Sequence, residues 1–138
     1  MIINYGKQYI DKDDIKEVIK TLKSDYLTQG PKVKEFEDKL KKYFGSKYCS
    51  VVSNGTAALH LAVLSLNLKK NDIVLTSPIS FLASANSILY SGATPGFIDI
   101  DKNSYTIDPN LAEDKLKKYN KFKKKIYAII GVDYAGHP

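Results

Sequence analysis

Strand-like and helix-like segments alternate from residue 48 to the end of the sequence, and few folds accommodate that order. The run Ile126–Val132 is almost continuously apolar, which is typical of a parallel strand covered on both faces. We therefore predict an α/β fold built from βαβ units around a mainly parallel sheet. The predicted strands are Tyr48–Val52, Ile73–Thr76, Gly96–Ile100 and Ile126–Val132, and the helices between them are Ala57–Leu68, 80–91 and 108–119.

The first 45 residues have a different pattern, that of two amphipathic helices. Over 11–24 the apolar residues recur at spacings of three and four, which places them on one helix face. A second helix of the same kind is predicted over 32–44, ended by Gly45. We therefore expect two parts, a helical segment over 1–45 and the α/β segment over 46–138.

The charge and cysteine content exclude several classes of protein. The chain has 138 residues and a net charge of +6, and its 21 basic residues are all lysines. The single cysteine, Cys49, excludes an internal disulfide framework. No apolar run approaches the roughly 20 residues that span a bilayer, and the N-terminus has no signal-peptide pattern, so we expect a cytoplasmic protein without a membrane partner.

The turn Ser53-Asn54-Gly55-Thr56 is the first candidate for chemistry, because it joins a predicted strand to a predicted helix. The free N–H groups of a helix N-terminus, with a threonine hydroxyl and a glycine that lets a ligand approach, suit an anion such as phosphate. The turn matches neither G-x-x-x-x-G-K-[ST] nor G-x-G-x-x-G, so the common nucleotide motifs are absent. An ordinary capped turn is the alternative.

The other candidates each have a structural interpretation beside the functional one. Phe81 follows a strand and could stack on a flat cofactor or pack in the core. Asp99 and Asp101 could bind a metal, although turn-capping aspartates are commoner. His60 and His137 lie in no recognisable triad. The lysines between Lys115 and Lys125 could bind nucleic acid, but we favour a solvated helix end and expect no nucleic-acid partner.

Several segments stand in the order and register of the motifs of a known family. They are Tyr26-Leu27-Thr28-Gln29-Gly30-Pro31 with Phe36-Glu37, Ser53-Asn54-Gly55-Thr56-Ala57-Ala58-Leu59-His60, Asp72-Ile73-Val74, Ser77-Pro78-Ile79-Ser80-Phe81, Gly92-Ala93-Thr94-Pro95, and Val132-Asp133-Tyr134-Ala135-Gly136. Together they resemble the DegT/DnrJ/EryC1/StrS sugar aminotransferases, which are pyridoxal-phosphate enzymes of the aspartate-aminotransferase fold. The resemblance implies that 46–138 is the first part of the cofactor-binding large domain of fold type I, and that the family's other residues lie beyond it.

The resemblance also implies roles for individual residues. Gly55 and Thr56 would hold the phosphate of pyridoxal 5'-phosphate, and Phe81 would stack on its ring. Contacts with the nucleotide sugar would come from both parts of the chain, partly across a homodimer interface. These substrate-binding residues would be Tyr5, Asp25, Tyr26, Leu27, Thr28 and Asn54, the last standing where many members have serine.

Two segments, Pro78–Phe81 and Val132–Gly136, resemble most the members that act in pseudaminic acid biosynthesis. Those members move an amino group from glutamate to the C4 keto group of a UDP-linked 4-keto-6-deoxy amino sugar. The family's Schiff-base lysine is expected beyond Pro138, so no catalytic residue is assigned and the 138-residue chain alone is expected to be inactive. The alternatives are a sugar dehydratase of the same family and a non-catalytic lysine-rich binding module.

Overall fold

The structure is a computed structural model that describes residues 6–122 and 124–138. The chain divides into two compact units, with the boundary between Val51 and Val52. In the first unit, α1 is Lys12–Leu22 and α2 is Pro31–Phe44. Asp11 caps α1 in a capping box with Asp14. Gly45 ends α2, as predicted, and has the left-handed conformation.

The second unit alternates helices and strands in the order expected. Its strands are β1 (Ile73–Thr76), β2 (Thr94–Phe97) and β3 (Ile126–Ile130). They are all parallel and lie in the order β2-β1-β3, which confirms the predicted α/β fold. Asp108 caps the last α-helix, and Pro109 is its first residue. The elements are α3 (Gly55–Leu64), β1 (Ile73–Thr76), α4 (Ala83–Tyr90), β2 (Thr94–Phe97), α5 (Pro109–Lys121), β3 (Ile126–Ile130) and a 3₁₀ turn at Tyr134–Gly136.

The central strand β1 separates two apolar clusters. On one face Ile73 and Leu75 pack with Ile98 and with residues of α5, including Tyr119. On the other face Val74 packs with Ile88 of α4 and with Ala93. The second unit is therefore a three-layer arrangement with α5 on one face of the sheet and α4 on the other, and α3 packs against α4.

The predicted strand Tyr48–Val52 is wrong, because these residues form no strand. The Val51 N–H donates to the Glu37 carboxylate at 3.1 Å, and among the described residues no strand lies alongside to pair with it. A β-rich composition is not sufficient where a pairing partner is missing.

Two other strand predictions need correction. The strand predicted over Gly96–Ile100 runs from Thr94 to Phe97, because its register follows β1 from Ile73 to Thr76. Full burial of β3 on both faces is also wrong. Its residues alternate in burial, with Tyr127 41% and Ile129 45% exposed, because β3 is an outer strand of the described sheet.

Candidate functional site

The loops that follow the strands bring the candidate residues of the second unit toward one edge of the sheet. In a parallel sheet the carboxyl ends of all strands meet at one edge, where ligands bind. Here Ser77–Phe81 follows β1, Ile98–Asp101 follows β2 and Gly131–Gly136 follows β3. Helix α3 precedes β1 in the chain and packs against α4.

The N-terminus of α3 is organised by Asn54. The Asn54 Oδ1 accepts the Ala57 N–H at 2.9 Å, and its backbone carbonyl accepts the Ala58 N–H at 3.1 Å. The helix itself supplies no acceptor for the first N–H groups of Gly55 and Thr56. Both groups are thus first-turn donors, at the positive end of the helix dipole.

Space and side-chain chemistry at this turn suit an anion. Gly55 is exposed, and a Cβ placed on it would meet nothing within 4 Å. Thr56 is half-buried and brings a hydroxyl beside the two N–H donors. This donor set, two backbone N–H groups and one hydroxyl with no carboxylate among them, fits the phosphate of a cofactor.

Phe81 lies on the surface, so the structure does not support the alternative that it packs in the core. Its side chain is 79% exposed, just ahead of α4. With Phe97 and the hydroxyl-bearing Ser80 and Ser84 it lines a pocket of about 320 Å³. The ring of Phe81 is therefore available to stack on a planar ligand, as the functional interpretation requires.

The proposed substrate-binding residues of the first unit lie in the loop between α1 and α2. Asp25, Tyr26, Leu27 and Thr28 are all exposed, and Ser24 holds the loop by donating its Oγ to the Tyr26 carbonyl at 3.2 Å. Leu27 lines a hollow of about 410 Å³ together with residues of α1. Tyr5 lies outside the described residues.

Asp99 and Asp101 act as caps of their own loop. Asp101 Oδ1 accepts the N–H groups of Asn103 at 2.8 Å and Ser104 at 2.9 Å. The hydrogen bonds from Ser104 and Asn103 lower the pKa of the Asp101 carboxyl, so it stays ionised. Across 6–122 and 124–138, no group of three metal-ligating side chains comes together.

The two histidines and the cysteine show no catalytic partner in the described part of the chain. The His60 ring contacts Tyr90 edge-on, with centroids 5.4 Å apart, and its buried Nε2 has no hydrogen-bond partner among the described residues. His137 is exposed and Cys49 is half-buried.

Sequence reasoning missed an aromatic pair at the carboxyl edge. Tyr105, in the loop after β2, lies beside Tyr134, after β3, with ring centroids 5.7 Å apart. Tyr105 has a φ of +60° and Ala135 a φ of +52°, both uncommon for these residue types. The signal in the sequence is weak, because only the fold brings these two loops together.

The fold and this edge define the class of protein. The parallel sheet between helices matches the fold of solved pyridoxal-phosphate aminotransferases. PseC of Helicobacter pylori, "aminotransferase involved in the biosynthesis of pseudoaminic acid", superposes with a TM-score of 0.86 at 34% identity, over 98% of this chain and 35% of that one. The PMP-form of the putative sugar aminotransferase Spr1654 of Streptococcus pneumoniae superposes with a TM-score of 0.86 at 32% identity, over 99% of this chain and 33% of that one.

The family follows from the sequence match. The profile of the DegT/DnrJ/EryC1/StrS aminotransferase family matches residues 8–138, and the chain belongs to this family. The UDP-4-amino-4,6-dideoxy-N-acetyl-beta-L-altrosamine transaminase of Campylobacter jejuni (serotype O:2) is 43% identical over 136 residues, 99% of this chain and 35% of that protein. The chain spans about a third of the length of such relatives.

The residues present fit the cofactor of this family, which is pyridoxal 5'-phosphate. Gly55 and Thr56 present donors that suit a phosphate, and Phe81 presents an exposed aromatic face of the kind that suits a planar ring. No helix in the described ranges is long and apolar enough to cross a bilayer.

Proposed function

We propose that this chain is the N-terminal part of a sugar-nucleotide aminotransferase. The protein would move an amino group from glutamate to the C4 keto group of a UDP-linked 4-keto-6-deoxy amino sugar, in pseudaminic acid biosynthesis, and would act as a homodimer. The single observation that carries the proposal is the start of α3, where Asn54 takes up the Ala57 N–H and leaves the Gly55 and Thr56 donors for a phosphate. The Campylobacter and Helicobacter relatives support the choice of substrate.

Each proposed residue has a role that its position allows. Gly55 and Thr56 would hold the phosphate and so fix the position of the cofactor. Phe81 would fix the plane of the ring and keep water from one of its faces. When bound, the cofactor supplies an electron sink for the amino transfer.

Substrate recognition is proposed for residues of both units, with Tyr5, Asp25, Tyr26, Leu27, Thr28 and Asn54 contacting the nucleotide sugar. Only part of the Asn54 side chain is available to bind a substrate. Its Oδ1 is engaged by Ala57, so its Nδ2, 3.3 Å from Ser53 Oγ, is the group left to donate. None of the chain's 21 lysines is assigned a catalytic role, and we expect the 138-residue polypeptide alone to transfer no amino group.

The experiment uses the protein isolated from its source cells, with [¹⁵N]glutamate and a UDP-linked 4-keto-6-deoxy-N-acetyl amino sugar. The proposal predicts a sugar product that carries ¹⁵N at C4, detected by mass spectrometry. Loss of a sugar hydroxyl as water, with no ¹⁵N in the product, would identify the dehydratase alternative instead. No conversion of the sugar at all would contradict both.

The 138-residue polypeptide is the matched control for this assay. An intact mass above 15.4 kDa for the isolated protein would agree with an aminotransferase that has further residues. Unaided amino transfer by the 138-residue polypeptide would contradict the expectation that the catalytic lysine lies elsewhere.

A further inference from the structure

Described residues of the second half of α5 and just beyond its end line a recess with three lysines and two aromatic rings. The recess has a volume of about 470 Å³, within the range of small-molecule sites, and we call it the lysine recess. Its lining residues are Lys115, Lys118, Tyr119, Phe122 and Lys124.

Local backbone geometry makes these side chains converge. Lys115, Lys118 and Phe122 follow one another at spacings of three and four, so they share one face of α5. The chain then turns back, because the Lys124 N–H donates to the Tyr119 carbonyl at 3.0 Å. This hydrogen bond holds Lys124 beside the end of α5.

The charge of the lysine recess is not balanced from within. No carboxylate lines it, and among the described residues no ion pair engages Lys115, Lys118 or Lys124. The neighbouring Lys117, by contrast, pairs with Glu113 at 2.6 Å. Acidic side chains, Asp99 and Asp114, lie only in the adjoining hollow that shares Lys115 and Lys118.

Phe122 gives the lysine recess a second chemical character. Its ring is 63% exposed beside the ammonium groups, whereas Tyr119 packs inward against the core cluster of β1. An exposed aromatic face next to several cations suits a ligand that has both a planar ring and a chain of phosphates.

The lysine recess is distinct from the candidate cofactor site. Helix α5 begins after the carboxyl end of β2 and ends before the first residue of β3. Since β3 is parallel to β1, the end of α5 lies toward the amino edge of the sheet, opposite the carboxyl edge at which Phe81 follows β1.

We propose that the lysine recess binds a nucleoside polyphosphate, with the phosphates on Lys115, Lys118 and Lys124 and the base on Phe122. The test is calorimetric titration of the protein isolated from its source cells, and of its variants expressed there, with ATP, tripolyphosphate and adenosine at fixed salt. ATP binds most tightly, because tripolyphosphate offers only charge and adenosine only a ring.

Variants separate a specific site from general attraction between charges. Lys118→Gln lowers the affinity for ATP about ten-fold, which is the effect of losing a hydrogen bond to a charged group. Phe122→Leu lowers the affinity for ATP about five-fold and leaves the affinity for tripolyphosphate unchanged. Lys121→Gln is the matched control, with the same loss of charge on the same helix outside the recess, and it changes affinity less than two-fold. Circular dichroism confirms that each variant is folded.

Three results would overturn the proposal. The first is an equal loss for Lys121→Gln and Lys118→Gln, which would show diffuse attraction. The second is ATP binding no tighter than tripolyphosphate. The third is a short DNA duplex that displaces ATP with higher affinity, which would make the recess a nucleic-acid surface.

Discussion

At the start of α3, one side chain determines which backbone groups are left for a ligand. Asn54 accepts the Ala57 N–H and so stabilises the helix, as asparagine commonly does at this position. Since it is neutral, it does this without placing a negative charge beside the Gly55 and Thr56 donors. The sequence predicted an anion site here, but not that Asn54 caps the helix while the N–H groups of Gly55 and Thr56 are left for a ligand.

The hydroxyl of Thr56 supplies the first prediction. Thr56→Val keeps the shape of the side chain and removes one hydrogen bond to a dianion, so the affinity for pyridoxal phosphate falls about ten-fold. Absorbance titration of the 138-residue chain measures this change. Thr94→Val, at an exposed strand position, is the control and leaves the affinity unaltered.

Glu35 is the residue whose protonation most affects the first unit. Hydrogen bonds from Lys39 and Lys32, with their charges, lower the pKa of Glu35 from 4.5 to about 2. Lys32 also pairs with Glu17 at 2.8 Å, so the same lysine links α1 to α2. Because folding lowers this pKa, the carboxylate stabilises the fold above pH 4.5, and the contribution is lost as the pH falls toward 2.

The second prediction concerns this pH window. Glu35→Gln makes the helical circular dichroism signal less dependent on pH between about 4.5 and about 2. The effect is small, since the pairs are exposed and salt screens them. Glu113→Gln, which removes one exposed ion pair of α5, is the control. An unchanged pH dependence in Glu35→Gln would show that the lysine contacts do not persist in solution.

Among the elements, β1 is the one that the sequence described most completely. A strand was predicted over Ile73–Thr76, and the observed strand has these bounds. All four residues are buried, and Thr76 Oγ1 donates to the Ile130 carbonyl at 3.2 Å. The segment 48–52 has a similar composition but no strand beside it. Composition shows that a segment can pair, whereas pairing itself depends on residues far away in the sequence.

The same limit applies to the sites. Gly55, Thr56 and Phe81 could be proposed from the sequence, because the roles considered for them depend on adjacent residues and on a resemblance carried by short motifs. The Tyr105–Tyr134 pair could not, since it depends on two loops that only the fold brings together. The lysines between Lys115 and Lys125 stood out in the sequence, but the recess that three of them line with Tyr119 and Phe122 is visible only in the structure.

Close packing between β1 and β2 gives a prediction for a single glycine. A Cβ at Gly96 would lie 2.6 Å from Leu75 Cδ2, and Leu75 is fully buried in the central strand. Gly96→Ala therefore lowers the free energy of unfolding by about 1–3 kcal/mol. Gly131→Ala is the matched control, because a Cβ there meets nothing within 4 Å. Urea unfolding of both variants measures the difference, and equal stabilities would contradict the packing described.

For the 138-residue molecule as a whole, the exposed apolar surface is large. Tyr127 and Ile129 of β3 are each more than 40% exposed, as are Val18 and Leu22 of α1. Exposed apolar surface of this kind normally packs against other protein surface or promotes aggregation. We therefore expect low stability for this polypeptide by itself.

Thermal unfolding followed by circular dichroism tests that expectation. We predict a midpoint below about 65 °C, the upper end of the usual mesophile range, together with binding of an apolar dye at 20 °C. A sharp cooperative transition above that temperature, without dye binding, would show that the exposed faces need no partner.

The central claim, that the start of α3 holds the phosphate of the cofactor, is tested most directly by NMR titration of the ¹⁵N-labelled chain. Pyridoxal phosphate is added in one series and pyridoxal, without the phosphate, in the other. We predict saturable shifts of the Gly55 and Thr56 amide signals with pyridoxal phosphate, and none with pyridoxal at the same concentration. Unshifted Gly55 and Thr56 signals, or equal shifts with both compounds, would contradict the account.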